Sequence, residues 1–302
     1  MRRVLVTGAS GFIGRRALAP LLEYGFEVHA VGRRRAAEAP AEVKWHVADL
    51  LDPEGRRDLV ERVGATDLLH LAWYAEPGRY WTSTENVRWV GATGELLTEF
   101  AARGGGRAVL AGTCAEYDWA VSGPYAEATS PLRPATLYGA CKDATRRVAV
   151  ALGAQLGLSV AWGRIFFLYG PGEHPDRLVA SVARALVAGE RAPTSEGSQR
   201  RDFLHVADVA GAFAGLVASD VAGSVNVASG TEVPVRRLVE LVAEAAGRPD
   251  LLDVGALPSR PDEPPDIAAD VTRLSEEVGF VPDFGLEDGL AATLEWWRRT
   301  PR

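Results

Sequence analysis

The sequence predicts an α/β protein: a doubly wound parallel sheet with a smaller α/β unit at the C-terminal end. Three observations predict it. Short apolar runs alternate with stretches of helical periodicity through the first half of the chain, the pattern of repeated strand–helix–strand units. The first strand runs into Gly8, Gly11 and Gly14 just where a helix begins. Beyond the turn at Gly170-Pro171-Gly172 the alternation gives way to helices separated by short strands and Pro-rich loops.

The elements follow in order. Residues 4–7 form a short apolar run, read most simply as a buried parallel strand. "FIGRRALAPLLEYG" has helical periodicity and stops at Gly25. "FEVHAVG", "VKWHVADL", "TDLLHLA" and "GRAVLAG" are the second to fifth strands, with helices near 54–63 and 83–103 between them. "PATLYGACKDATRRVAVALGAQLG" is a long helix after Pro134, and "LSVAWGRIFFLYG" a sixth strand running to a turn at Gly170-Pro171-Gly172. Helices are expected near 176–188, 205–219 and 234–246. The Pro-rich stretch 257–270 reads as a long irregular loop, and "LEDGLAATLEWWRR" as a closing amphipathic helix.

Composition narrows the function classes. The 302-residue chain is 47% hydrophobic and 24% charged, ordinary for a globular protein. A net charge of −7 speaks against a broad nucleic-acid footprint. No apolar run reaches membrane-span length, and the N-terminus lacks a signal-peptide pattern. Two cysteines, Cys114 and Cys141, make no disulfide framework, so a cytoplasmic, reducing home is expected. The five histidines show no metal-ligand spacing, and no metal is expected.

At the first strand–helix junction, Gly8, Gly11 and Gly14 let backbone approach a pyrophosphate, whose charge suits the free N–H groups of a helix start. The cradle spans Gly8, Ser10, Gly11, Phe12, Ile13 and Gly14. The ribose is read at the end of the second strand, where an acid suits NAD and an arginine suits the 2′-phosphate of NADP. Here stand Gly32, Arg33, Arg34 and Arg35 and no acid, which favours NADP(H), with NAD(H) as the alternative. Asp49 after the third strand is placed to hydrogen-bond the adenine edge.

The chain has only two lysines, Lys44 and Lys142, and Lys142 falls four residues after Tyr138. On a helix that spacing puts phenol and ammonium on one face. With TGASGFIG at the start and TLYGACK at 136–142, the chain resembles the extended short-chain dehydrogenase/reductase family of NAD(P)-dependent nucleotide-sugar epimerases, dehydratases and reductases. "GPGEHPDRLVASVARAL", "RRDFLHVADVAGAF" and "VNVASG" resemble its later landmarks, so the likeness runs nearly end to end. It implies a Rossmann-type dinucleotide domain over 1–165 plus about 203–222. A nucleotide-sugar domain is implied over about 166–202 and 223–302. It also implies cofactor contacts from Leu50, Leu71 and Ala72.

The resemblance implies that Thr113, Tyr138 and Lys142 carry the chemistry. Lys142 is expected to hold the nicotinamide ribose and to lower the Tyr138 pKa, since a nearby cation favours a phenolate. Tyr138 then passes a proton at the sugar oxygen that Thr113 also hydrogen-bonds. Asn86, Thr113, Cys114, Arg201 and Arg260 are the expected substrate contacts, the arginines gripping a diphosphate. "AWYAEPGRYW" (72–81) supplies an aromatic wall or lid from Trp73, Tyr74, Tyr80 and Trp81.

The reaction is narrowed by departures from the family pattern. Its 4,6-dehydratases need Asp-Glu after the catalytic Thr; here Cys114 and Ala115 follow, and Glu116 is expected to face away. Phe167 replaces the Asn usual in the family's 4-epimerases. The expected activity is NADPH-dependent reduction of an NDP-4-keto-6-deoxy sugar, with an NAD-dependent nucleotide-sugar 4-epimerase as the alternative and a non-catalytic dinucleotide sensor further off. The partner is a nucleotide-diphosphate sugar, with no nucleic acid and no membrane. A homodimer is expected through the helix carrying Tyr138.

Overall fold

Strand alternation sorts the apolar residues into two cores, one on each face of a sheet. In β1 (Arg3–Thr7), Val4 and Val6 point into one core and Leu5 into the other. The same division recurs in β2 (Glu27–Gly32), where Val28 and Ala30 oppose Val31. The computed structural model describes residues 2–36, 39–259 and 263–300. Its main sheet also contains β3 (Lys44–Val47), β4 (Asp67–His70), β5 (Arg107–Thr113) and β6 (Ser159–Ile165). With β10 (Gly223–Val227) the sheet is parallel throughout, in the order β10-β6-β5-β4-β1-β2-β3. Helices α1 (Gly14–Glu23) and α6 (Val206–Ala218) cover one face, and α2 (Pro53–Val63), α3 (Glu85–Ala102) and α4 (Leu137–Leu156) the other. Each fully buried Val or Leu in these layers contributes about 1.5–3 kcal/mol.

The expected sixth strand is in fact two. It breaks at the buried Phe166, and β7 (Phe167–Tyr169) leaves to pair with β9 (Arg200–His205) in a second sheet. That sheet also holds β11 (Glu232–Pro234) and the short β13 (Asp266–Ile267). Part of the Pro-rich stretch, read from sequence as irregular, is therefore a strand. The main sheet takes its seventh strand, β10 (Gly223–Val227), from a segment the sequence reading gave to the second unit. Periodicity reveals a strand but not its sheet, because pairing partners are remote in sequence.

The second unit is completed by α5 (Leu178–Ala188), α7 (Val235–Ala246) and α8 (Leu286–Arg299), which share a separate core. The strand pair β8 (Ala192–Thr194) and β12 (Leu252–Val254) lies beside it. Two arginines of α1 grip the loop after β7: Arg15 donates to the Gly172 carbonyl at 2.9 Å and Arg16 to that of Pro171. This fastens the second unit to the helix that begins at the glycine loop. No helix among the described residues is long and apolar enough to cross a membrane.

Candidate active site

The glycine loop has the shape a dinucleotide requires. Gly8 has φ +67°, and a Cβ there would lie 2.7 Å from the Ala72 nitrogen. At Gly14 a Cβ would sit 2.2 Å from the Gly8 carbonyl oxygen. No side chain caps the start of α1, so the positive end of that helix is open to an anion. The residues present therefore fit a bound dinucleotide. Leu71 and Ala72 close the loop from the β4 side, donating to the Thr7 carbonyl and the Thr7 hydroxyl.

At the other end of the cradle, Ser10 lies against Gly32, the last residue of β2. Arg33 and Arg34 follow, both exposed. Asp49 is also exposed and accepts from the Leu51 N–H at 3.0 Å. Leu50 is buried in the core on the α2 side.

Thr136 starts α4 by accepting the Gly139 N–H at 3.1 Å, and Gly157 in the left-handed region ends it. This places Tyr138 and Lys142 one turn apart on the side facing β5. The Tyr138 hydroxyl is hydrogen-bonded to the Thr113 side chain. Lys142 is buried, its ammonium donating to the Ala111 carbonyl at 2.8 Å and lying 6.0 Å from the centre of the Tyr138 ring. The three residues picked from sequence are thus brought together.

Their electrostatics differ from the expectation. Burial pushes the Tyr138 phenol well above its ordinary value, with Tyr80 adding to the effect and the Thr113 hydrogen bond opposing it. Lys142 sets its ammonium on the Ala111 carbonyl and the Trp73 ring, and burial lowers its own pKa to about 7. Tyr138 is a phenol here, not a phenolate.

The aromatic stretch divides between two tasks. Tyr80 and Trp81 flank Tyr138, with ring centres 4.9 and 5.6 Å away and near-perpendicular planes. The Trp81 carbonyl accepts the Tyr138 N–H at 3.1 Å. Trp73 instead lies beside Lys142. Trp119, not singled out from sequence, extends the wall behind Trp81; its only signal was a place two residues after Tyr117.

Several expected substrate contacts are otherwise engaged. Asn86 is fully buried: its amide accepts from the Trp73 indole N–H at 2.8 Å and donates to the carbonyls of Tyr80 and Ser83. It braces the aromatic loop rather than facing a ligand. Arg201 is buried, ion-paired to Glu263 at 2.9 Å and placed over the Phe167 ring. Its guanidinium is spent inside the second unit, because Phe167 and Glu263 offer it a face and a charge. Arg260 lies outside the described residues.

Cys114 is buried beside Thr113, its thiol pushed up to about 12 chiefly by burial, and is no nucleophile. Glu116 does turn from the site, but from a 3-10 turn over 114–116 rather than from a strand. It accepts from the Thr113 N–H, the Trp162 indole and the Arg164 guanidinium. Glu173, on the loop after β7, is a buried acid that sequence reasoning missed; burial raises it to about 8.

The model of the NAD-dependent epimerase/dehydratase family matches residues 4–228. The chain belongs to that family. A dTDP-glucose 4,6-dehydratase of Streptomyces griseus is 32% identical, covering 98% of this chain and 94% of its own. A GDP-6-deoxy-D-mannose reductase of Pseudomonas aeruginosa is 28% identical over 100% of this chain and 99% of its own. A solved Thermus thermophilus UDP-glucose 4-epimerase in complex with NAD superposes with TM-score 0.87 at 28% identity, covering 99% and 100% of the two chains. The family member described here is an enzyme, with a seven-stranded Rossmann-type sheet and a cradle for an NAD(P) dinucleotide.

Proposed function

We propose that this enzyme reduces an NDP-4-keto-6-deoxy sugar with NADPH. The observation that carries the reading is the end of β2: Arg33 and Arg34 are exposed directly after Gly32, which lies against Ser10 of the glycine loop, and no carboxylate stands among the described residues 33–36 to repel a 2′-phosphate. The reductase among the relatives, aligned along the full chain, supports it. Cys114 and Ala115 carry no group able to remove water from the sugar, which sets this chain apart from its dehydratase relatives.

In this reading the nicotinamide supplies the hydride. Tyr138 donates its proton to the carbonyl oxygen of the sugar as that oxygen gains charge. Thr113, already bonded to the phenol, holds the same oxygen. Lys142 turns its ammonium from the Ala111 carbonyl to the cofactor ribose and supplies the positive charge that eases proton loss from Tyr138. Tyr80 and Trp81 exclude water and face the deoxygenated side of the sugar.

A second reading, a 4-epimerase with tightly held NAD, is favoured by the Thermus neighbour and its bound cofactor. One experiment separates the two. The purified protein is denatured, any released dinucleotide is identified, and the emptied enzyme is titrated with NADPH and NADH. A preference for NADPH that Arg33→Ala/Arg34→Ala abolishes supports the reductase; stoichiometric NAD carried through purification overturns it.

Both readings include a homodimer through α3 and α4. Between these helices lies a groove lined by Val90, Gly91, Gly94, Val148 and Leu152 together with Glu95, Thr98 and Glu99, a mostly apolar surface of the kind an isologous pair covers. Sedimentation of the wild type against Val148→Glu tests it, with a shift to monomer as the expected result.

A further inference from the structure

Lys142 is buried, and among the described residues no carboxylate lies within bonding distance of its ammonium. Its ammonium donates to one carbonyl, that of Ala111. The other close group is an aromatic face: the Trp73 ring centre lies 3.9 Å from Nζ, well inside the range of a cation–π contact. The titratable groups facing it among the described residues are Glu116 after β5, His70 on β4 and Tyr138 on its own helix. Glu116 acts only through space, its oxygens being held by Arg164, Trp162 and the Thr113 N–H. His70 is neutral, pinned between the hydroxyls of Thr7 and Thr93.

The Trp73 ring is held in place from two sides. Its indole N–H donates to Asn86 at 2.8 Å, and Asn86 is itself locked by two carbonyls. Trp89 of α3 packs against it with ring centres 6.1 Å apart. Trp73 also follows Ala72 directly, the residue whose backbone closes on Gly8. One side chain therefore connects the dinucleotide cradle to the active-site lysine.

We propose that Trp73 is a positioning residue for Lys142, its fixed indole face taking the place of a carboxylate and holding a cationic ammonium beside the cofactor cradle. A carboxylate at this point would neutralise the charge that Tyr138 needs and would repel the cofactor's phosphates. An aromatic face binds the cation without adding a negative charge and releases it more readily to a ribose hydroxyl. That this positioning serves catalysis rests on the role given to Lys142 above; the contact itself does not.

The chain offers an uncommon means of testing this, because it has only two lysines. Lys44→Arg leaves Lys142 as the single lysine, and carbon-13 labelling at Cε then follows its titration alone by NMR. Tryptophan is replaced throughout by fluorinated tryptophans of increasing substitution, which weaken the ring's attraction for a cation with little change in volume. The Lys142 midpoint is expected to fall stepwise, by about 0.5 pH unit or more across the series. In a Trp73→Phe background the dependence on fluorine is expected to disappear.

A midpoint that does not move with fluorination overturns the proposal, as does a dependence that survives Trp73→Phe. The alkaline limb of kcat/KM, measured on the best keto-sugar substrate, should fall in parallel. If the titration follows Trp73 but no keto sugar is reduced, the functional reading fails and this inference stands. If reduction occurs and the titration ignores Trp73, the reverse holds.

Discussion

Two buried cations stand on either side of the Thr113–Glu116 turn, and they are treated in opposite ways. Arg164 is 1% exposed and fully partnered: Glu116 accepts from it at 2.8 Å, and Tyr117 places its hydroxyl 3.1 Å away. Its pKa is held above the ordinary value despite desolvation. Lys142 is 4% exposed and has a carbonyl and a ring face, and its pKa falls to about 7. The first charge is built to stay; the second is under-compensated and adjustable. A buried, perturbed cation of that kind is a candidate for a working group.

The largest effects separate these two regions. Tyr138→Phe removes the proposed proton donor. Activity should fall about 10²–10⁴-fold, while the melting temperature holds or rises; an active variant would sink the catalytic assignment. Glu116→Gln does the reverse. It strands Arg164 in the interior and should cost about 3–5 kcal/mol in urea unfolding. A loss near zero would mean that the pair is not what holds this side of the turn.

Lys142→Met gives a smaller and pH-dependent change. Burial lowers the lysine from its ordinary value of 10.5 to about 7 in the fold. Between those values the unfolded chain holds the extra proton, so stability rises with pH across the window, and the burial penalty is complete below pH 7. The variant should therefore be more stable than wild type by roughly 2–4 kcal/mol at pH 6. The Ala111 carbonyl left without its donor offsets part of the gain. The difference should shrink toward pH 10.5; a pH-independent difference would deny that the lysine is strained by burial. Smallest of all, Thr136→Ala removes the cap of α4 and should cost about 1 kcal/mol, read as a lower melting temperature with Tyr138 still in place.

Much of the site was legible before the structure. The glycine loop and the Tyr138–Lys142 pair depend on spacing within one turn or one helix, and local geometry follows local sequence. Asn86 and Arg201 were read as ligand contacts because their positions suggested it. Their hydrogen-bond partners, Trp73 and Glu263, lie 13 and 62 residues away, and no local pattern announces them. Tyr138 shows the same limit: the spacing that places a cation nearby says nothing about what else that cation touches.

By itself the sequence determined the alternation of strands and helices, the dinucleotide cradle and the order of Thr113, Tyr138 and Lys142. Each is set by periodicity, glycine or spacing along a single element. Only the tertiary structure decided that β7 leaves the main sheet while β10 joins it, that Glu116 belongs to Arg164, and that Trp73 rather than a carboxylate faces Lys142. These depend on which distant side chains share a buried volume, where desolvation and partner choice set the charge of every group.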